Sequence, residues 1–354
     1  MKKQASFFIV VILLLCPLLA FGQKSKIIKT ANQKFPKAQK IGFVIHGGAG
    51  FIRKGSLSPK AEKEYRAKLK EAVLAGYNTL KAGKSSLDAI ETAIIIMEDS
   101  PLFNAGKGSV FTADGKNELD ASVMDGKTQN AGAVAGLRKV KNPILLARAV
   151  MENSRHVMMI SNGAEKFAKE QNIKLVPEKY FWTQKRWDSL QRVIKSEAEK
   201  AKGKGVSFLA NPDNKFGTVG AVALDKNGNL AAGTSTGGMT YKKYGRVGDV
   251  PVIGAGTYAN NATCAVSATG WGEYFIRLSV AKDISSMMEY KNLTVQEAAD
   301  EVIQKKLPNL GGNGGVIAID QKGNIGISFN TSGMYRAYID DNGKPVVEIY
   351  GEKK

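Results

Sequence analysis

Two rhythms of apolar positions organise the first half of the chain. From Lys40, "KIGFVIHGGAG" is a continuous apolar run ending in glycines, which predicts a buried strand entering a glycine loop. The next segment, "SPKAEKEYRAKLKEAVLAGYNTLKAG", has helical spacing. Tyr65, Leu69, Val73, Tyr77 and Leu80 form one stripe, with Ser58 as N-cap, Pro59 at the first helical position and Gly83 as the stop. A second helix is predicted from Ser85, where Asp88 completes a capping pattern, to about Glu98. "SVFTADGKNELDASVMDG" and "NAGAVAGL" read as short strands with turns, and "NPILLARAVMEN" and "GAEKFAKEQ" as helices.

From about Val176 to Phe216 the periodicity degrades. "EKYFWTQKRWDSLQRVIKSEAEK" is helical at first, but Lys, Glu and Gly accumulate, and residues from about 195 to 217 read as a mobile, solvated linker. Then "GTVGAVALD" begins a buried strand abruptly, with the hydroxyl of Thr218 as its first side chain. Gly ending a loop before a strand-favouring Thr accounts for this; so does a chain cut between Gly217 and Thr218. Further on, "VALDKNGNLAAGTSTGGM" (222–239) and "IAIDQKGNIGISFNTSGM" (317–334) echo each other as hairpins around D-x-x-G-N turns. Helices are expected over most of 271–306. With no regular βαβ alternation, the fold class is α+β: sheets packed together and covered by helices.

Composition narrows the chemistry. Lys2 and Lys3, the apolar run Phe7 to Phe21 and "AFGQKSK" form a signal-peptide pattern, too short to span a membrane, with cleavage expected after Gly22. Export to the periplasm or the exterior, with no membrane attachment after removal, is the expectation. The formal charge of +19 loses only two with that segment. The basic residues are scattered and no nucleic-acid motif accompanies them, so a solvated basic surface is expected rather than a nucleic-acid partner. Cys16 and Cys264 are the only cysteines, and His46 and His156 the only histidines. An intrachain disulfide and a His-rich zinc site are therefore excluded, and a hydrolytic base other than histidine is favoured.

Two glycine motifs mislead. "VPVIGAGTYA" resembles a dinucleotide fingerprint, but "TYANNATCAVSATG" after it has no helical stripe. "NAGKGS" lacks phosphate-loop spacing. The hydroxyl and glycine positions of Gly217-Thr218, "TSTGG" (234–238), "GRVGD" (245–249) and "ATGWGE" (268–273) are harder to dismiss together, although singly each reads as a strand end, a turn or, for Arg246 and Asp249, a surface ion pair.

These segments, with "HGGAG", "PLFNAGKGSVFTADGKNELDASVMDG" and "LGGNGGVIAID", resemble the plant-type (type 2) asparaginases, also called isoaspartyl peptidases, over roughly residues 40 to 350. The resemblance implies a four-layer αββα sandwich of the N-terminal-nucleophile hydrolase type. It implies self-cleavage at Gly217-Thr218 into an α subunit (23–217) and a β subunit (218–354), assembled as (αβ)2. L-Asn and β-aspartyl dipeptides are the implied substrates. Thr218 is then the nucleophile, its own new α-amine the base, with an ordinary pKa of ~7.7–8.0. The resemblance makes Thr236 the tuning neighbour of Thr218, and the Thr269 hydroxyl and the Gly270 N–H the oxyanion hole. It assigns Arg246 to the substrate α-carboxylate through a two-pronged contact, Asp249 and the Gly272 carbonyl to the α-ammonium, and Asn104 to a place near the site. The carbonyls of Met97, Glu98, Ser100, Phe103, Ala105 and Lys107 match the family's sodium loop; no cofactor is implied for catalysis. Trp271 is bulkier than the family pattern and is expected to crowd or stack on the leaving group. A glycosylasparaginase of the same superfamily, and a secreted non-enzymatic binding module, are the remaining readings.

Overall fold

The computed structural model describes residues 40–201 and 217–351. Two sheets dominate. The larger runs in the order β12-β11-β1-β5-β6-β2-β3-β4, and the smaller β10-β9-β8-β7. In the larger sheet these are β1 (Gly42–Gly50), β2 (Leu119–Asp125), β3 (Ala131–Leu137), β4 (Met158–Ile160), β5 (Val219–Leu224), β6 (Leu230–Thr236), β11 (Gly333–Ile339) and β12 (Pro345–Tyr350). The smaller comprises β7 (Thr257–Ala259), β8 (Cys264–Gly270), β9 (Gly314–Asp320) and β10 (Ile325–Phe329). Pairing is antiparallel except between β3 and β4.

The near-continuous apolar runs of β1 and β5 have a simple cause: both faces of the sheet are covered. Alternate residues of a strand point to opposite faces. Phe43 and Ile45 join Val219, Ala221 and Ala223 in a core shared with α1 (Pro59–Lys81), α2 (Ser86–Glu98), α3 (Pro143–Asn153) and α4 (Ser161–Glu170). Val44, Val222, Leu224 and Ala232 belong to a second core. There they meet β8 and β9, which are backed by α7 (Val280–Lys291) and α8 (Val295–Asp300). Close approach on the first face needs Gly76 of α1, where a Cβ would come within 2.1 Å of the Phe43 ring.

The predicted caps are present. Ser58 accepts from Ala61 N at 3.2 Å, and Ser85 and Asp88 form a reciprocal capping box. The 222–239 and 317–334 hairpins both form, but in different sheets.

Three readings are corrected. "HGGAG" is not a loop: it continues β1, pairing through Gly50 with Gly333, with a register shift between His46 and Gly48. The helix Gln184–Ala201 (α5) runs through the first residues of the predicted mobile linker. Its amphipathic stripe reaches Leu190 and Val193, and Lys195 beyond them is exposed. Linker residues 202–216, the signal segment 1–22 and Cys16 lie outside the described residues. Lys242 departs from the solvated-lysine expectation, being 5% exposed. After the glycines of "VIGAG" the chain enters β7 rather than a helix, in line with the rejection of the dinucleotide motif from sequence. Among the described residues, no helix is long and apolar enough to cross a membrane.

Candidate active site

Thr218 immediately precedes β5, and its parity with Val222 directs it towards the second sheet. Thr234 and Thr236 share that face of β6 with Ala232. The hydroxyls of the sequence motifs therefore meet in the cleft between sheets. Thr218 Oγ1 donates to Thr236 Oγ1 at 3.2 Å, and Thr236 Oγ1 donates in turn to the Gly217 carbonyl at 3.0 Å. Asn104 Nδ2 donates to the same carbonyl at 2.8 Å and to Gly238 O at 2.7 Å. Asn104 is itself held by Val110 N on its Oδ1, 2.9 Å. The bond between Gly217 and Thr218 thus has two donors on its carbonyl oxygen and a hydroxyl beside it. Thr218 is 6% exposed.

His46 supports this arrangement from β1. Its Nδ1 lies 3.1 Å from Thr218 O, which can only accept, so Nδ1 carries the proton. Nε2 then accepts from Ser267 Oγ at 3.0 Å. Burial, opposed by the bond to Thr218, pushes the imidazole pKa down to about 3. His46 is a neutral positioning group, not a base. Ser267 continues to Thr234 (2.7 Å), Thr257 (2.6 Å) and Ser122 (2.7 Å), a hydroxyl chain that crosses between the sheets. Ser267, Thr257 and Ser122 were not singled out from sequence, and Thr234 only as part of the "TSTGG" motif. Buried hydroxyls on cleft-facing strand positions were the only signal, visible once the sheet pairing is known.

Thr269 lies at the end of β8, fully buried, and its Oγ1 accepts from Ala49 N at 3.3 Å, leaving its hydrogen for another acceptor. At Gly270 a Cβ would sit 2.6 Å from Asn313 O and 2.7 Å from the Phe275 ring. At Gly48 (φ 110°) it would sit 3.0 Å from Gly217 Cα and 3.2 Å from Thr218 N. Only glycine brings these two chains so close.

Arg246 and Asp249 line a pocket with Gly217, Thr218, Thr236, Gly248 and Gly270. They do not pair with each other. Arg246 donates from Nε and Nη2 to Glu273, 2.9 Å each, so the two-pronged contact expected for a substrate is made by a residue not foreseen from sequence. Burial acts to lower the Arg246 pKa, and the bonds and charge of Glu273 reverse it. A Cβ on Gly248 would lie 2.9 Å from Nη1, and one on Gly272 2.9 Å from Nη2. The remaining edge of the guanidinium is therefore flanked by glycines.

Asp249 is 5% exposed and burial pushes its carboxyl up to about 7, against the pull of Arg246. Its Oδ2 has no hydrogen-bond partner among the described residues. A Cβ on Gly272 would fall 2.8 Å from Asp249 Oδ1. Lys242, beside Gly238, donates to Glu118 O at 3.1 Å and lies 3.9 Å from Asp120 Oδ2. Trp271 stands at the N-terminus of α6 (Gly272–Leu278), edge-on to Tyr274 at 5.1 Å.

The expected sodium loop follows α2. Met97 and Glu98 end the helix, and Ser100, Phe103, Ala105 and Lys107 follow in the turn. Met97 O accepts from Ser100 N at 3.3 Å and Ala105 O from Gly108 N at 3.1 Å. A Cβ would fall 2.3 Å from Glu98 O at Gly106 and 2.0 Å from Phe103 O at Gly108. Glycine thus lets these carbonyls crowd the turn. The Glu98 carboxyl points elsewhere, towards Ser235 Oγ (2.7 Å), and burial raises its pKa to about 8. Among the described residues no cluster of His, Cys, Asp or Glu could hold a metal, so a cation here would rest on carbonyls.

Comparison with known proteins gives the family. A family model described as asparaginase matches residues 39–349. The chain is 51% identical over 309 residues to the isoaspartyl peptidase of Escherichia coli (strain K12), covering 87% of this chain and 96% of that one. It is 50% identical over 308 residues to the isoaspartyl peptidase of Salmonella typhimurium, covering 87% and 98%. A plant-type L-asparaginase of Pyrococcus abyssi is 44% identical over 303 residues, covering 85% and 97%. The family match spans most of the chain, and the chain belongs to the asparaginase family.

Proposed function

We propose that this protein is an isoaspartyl peptidase with L-asparaginase activity, a hydrolase matured by cleavage between Gly217 and Thr218. One observation carries the reading: the Thr218 hydroxyl, a doubly hydrogen-bonded Gly217 carbonyl and the Arg246–Asp249 pocket share one site. In maturation, Thr218 Oγ attacks the Gly217 carbonyl carbon, Asn104 and Thr236 stabilise the developing oxyanion, and the C–N bond breaks as the hydroxyl proton passes to the Thr218 nitrogen. The resulting ester is hydrolysed by water, leaving a Gly217 carboxylate and the α-amine of Thr218. That amine then takes the Thr218 hydroxyl proton during attack on a substrate β-carbonyl. The Thr269 hydroxyl and Gly270 N–H receive the oxyanion, and the proton passes to the leaving amine or ammonia. Water releases L-Asp from the acyl-enzyme. Arg246 binds the substrate α-carboxylate by its free edge, and Asp249 binds the α-ammonium with the Gly272 carbonyl.

The same reading includes the four-layer αββα arrangement, (αβ)2 assembly and export after removal of residues 1–22. Carbonyls of Met97, Glu98, Ser100, Phe103, Ala105 and Lys107 would hold Na+, fixing the turn that carries Asn104. The test is a mass spectrum of the purified protein with assays of ammonia and L-Asp release. Two chains, one beginning at Thr218, are expected, and Thr218→Ala should remain one inactive chain. Cleavage of that variant at the same bond would refute the mechanism.

A further inference from the structure

Gly217 separates two cavities. One is the pocket of Arg246 and Asp249; the other, about 80 Å³, lies between the Gly47–Ile52 segment and the start of α5. One water needs roughly 10–15 Å³ of such space, so the second cavity accepts a group of several heavy atoms. Its walls are mainly apolar and aromatic, with Tyr65 and Tyr335 stacked at 4.4 Å. Two cations, Lys185 and Arg186, line it, and no carboxylate does among the described residues. Lys185 Nζ donates to Tyr65 Oη at 3.2 Å. Arg186 spends Nε on Gly108 O, 2.7 Å, and no salt bridge engages it among the described residues. Burial holds its pKa below the ordinary value, opposed by the Tyr65 and Tyr335 hydroxyls rather than by an acid. A partly buried guanidinium facing a cavity without an anion is a receptor for one.

We infer that this cavity is the subsite for the leaving amino acid of a β-aspartyl dipeptide, whose free carboxylate is bound by Arg186 and Lys185. The inference rests on the proposed activity. Arg246 and Asp249 hold the aspartyl half on one side of Thr218. The leaving half must extend away from them, and the neighbouring cavity shares the Gly217 wall. Apolar surface from Tyr65, Tyr335, Phe51 and Leu57 suits an apolar leaving side chain. L-Asn has only ammonia to place there and makes no use of the cations.

The test compares L-Asn, β-Asp-Leu and β-Asp-leucinamide on the self-cleaved wild-type protein. The amide lacks the leaving carboxylate, so its KM should be on the order of 10-fold higher than that of β-Asp-Leu. Arg186→Met should bring β-Asp-Leu close to the amide while changing kcat/KM for L-Asn far less, and Lys185→Met, at the rim, should act in the same direction more weakly. L-Asn hydrolysis by the wild type reports the underlying activity separately. Equal KM values for dipeptide and amide would overturn the inference without needing any variant to fold. So would a loss in Arg186→Met shared equally by L-Asn. If Arg186 serves instead the Gly217 carboxylate left by maturation, dipeptide and amide are cleaved alike. Arg186→Met then lowers the Tm of the cut protein but not that of an uncut Thr218→Ala background, which also overturns the subsite.

Discussion

Glu273→Gln tests the proposed recognition of the substrate α-carboxylate by Arg246. In the structure Nε and Nη2 of Arg246 each donate to Glu273 at 2.9 Å, and the Arg246 side chain is 19% exposed. The guanidinium has five N–H groups in a fixed fork. Two go to Glu273, and those that remain lie between Gly248 and Gly272, the edge available to a substrate carboxylate. Glu273 therefore immobilises Arg246 before substrate arrives. Gln offers one acceptor and turns an N–H towards the guanidinium, so that restraint is lost. Ordering such a side chain during binding costs about 0.5–1.5 kcal/mol, roughly a 2- to 13-fold rise in KM. The Glu273 charge repels the substrate α-carboxylate and attracts its α-ammonium, so the Coulomb effects oppose each other. Glu273 is 45% exposed, which weakens both. The expectation is a KM for L-Asn raised within that range, with kcat changed less and self-cleavage intact. Ammonia release against L-Asn concentration, with mass spectrometry to confirm the cut, supplies the measurement. A lower KM would refute the reasoning, because it would make Glu273 a competitor of the substrate carboxylate.

In its proposed role Asp249 must be ionised to pair with the α-ammonium, and burial pushes its carboxyl up to about 7. With the Thr218 amine also required neutral, the slope of log kcat/KM against pH should approach two below pH 7; a slope of one in the wild type would remove Asp249 from this role. Asn104→Ala removes one of two donors to the Gly217 carbonyl and should slow self-cleavage on the order of 10²-fold, followed as loss of full-length chain over time; an unchanged rate would exclude it from oxyanion stabilisation. Glu98 takes a proton in the folded protein up to about pH 8, above its ordinary 4.5, so its contribution to stability is complete below about 4.5 and lost as pH rises to 8. Glu98→Gln should therefore gain stability relative to wild type across that window, by at most about 1.4 kcal/mol per pH unit, in denaturant titrations at several pH values. A constant difference between the two would show that Glu98 is already ionised.

The helix caps at Ser58 and Ser85, the stripe of α1 and the two D-x-x-G-N hairpins were legible in the sequence, because propensity and capping act within a few residues. So was the resemblance carried by Thr218, Arg246, Asp249 and Thr269. The strand character of "HGGAG" was hidden, since glycines favour loops until a partner strand supplies hydrogen bonds, here from β11. The helical start of the linker segment was obscured by the accumulation of Lys, Glu and Gly in its sequence, which dilutes the apolar stripe.

What sequence alone determined is the set of local elements and the residue types available for chemistry: many hydroxyls and glycines, and only two histidines. What only the tertiary structure decided is which of these meet. Glu273 on Arg246, His46 on the Thr218 carbonyl and the Ser267–Thr234–Thr257 chain all join residues distant in sequence. The reason is physical: pairing two sheets face to face places polar side chains of separate strands in one cleft. Burial there favours partners for most hydroxyls and charges, Asp249 Oδ2 being an exception among the described residues, and no short stretch of sequence expresses that demand.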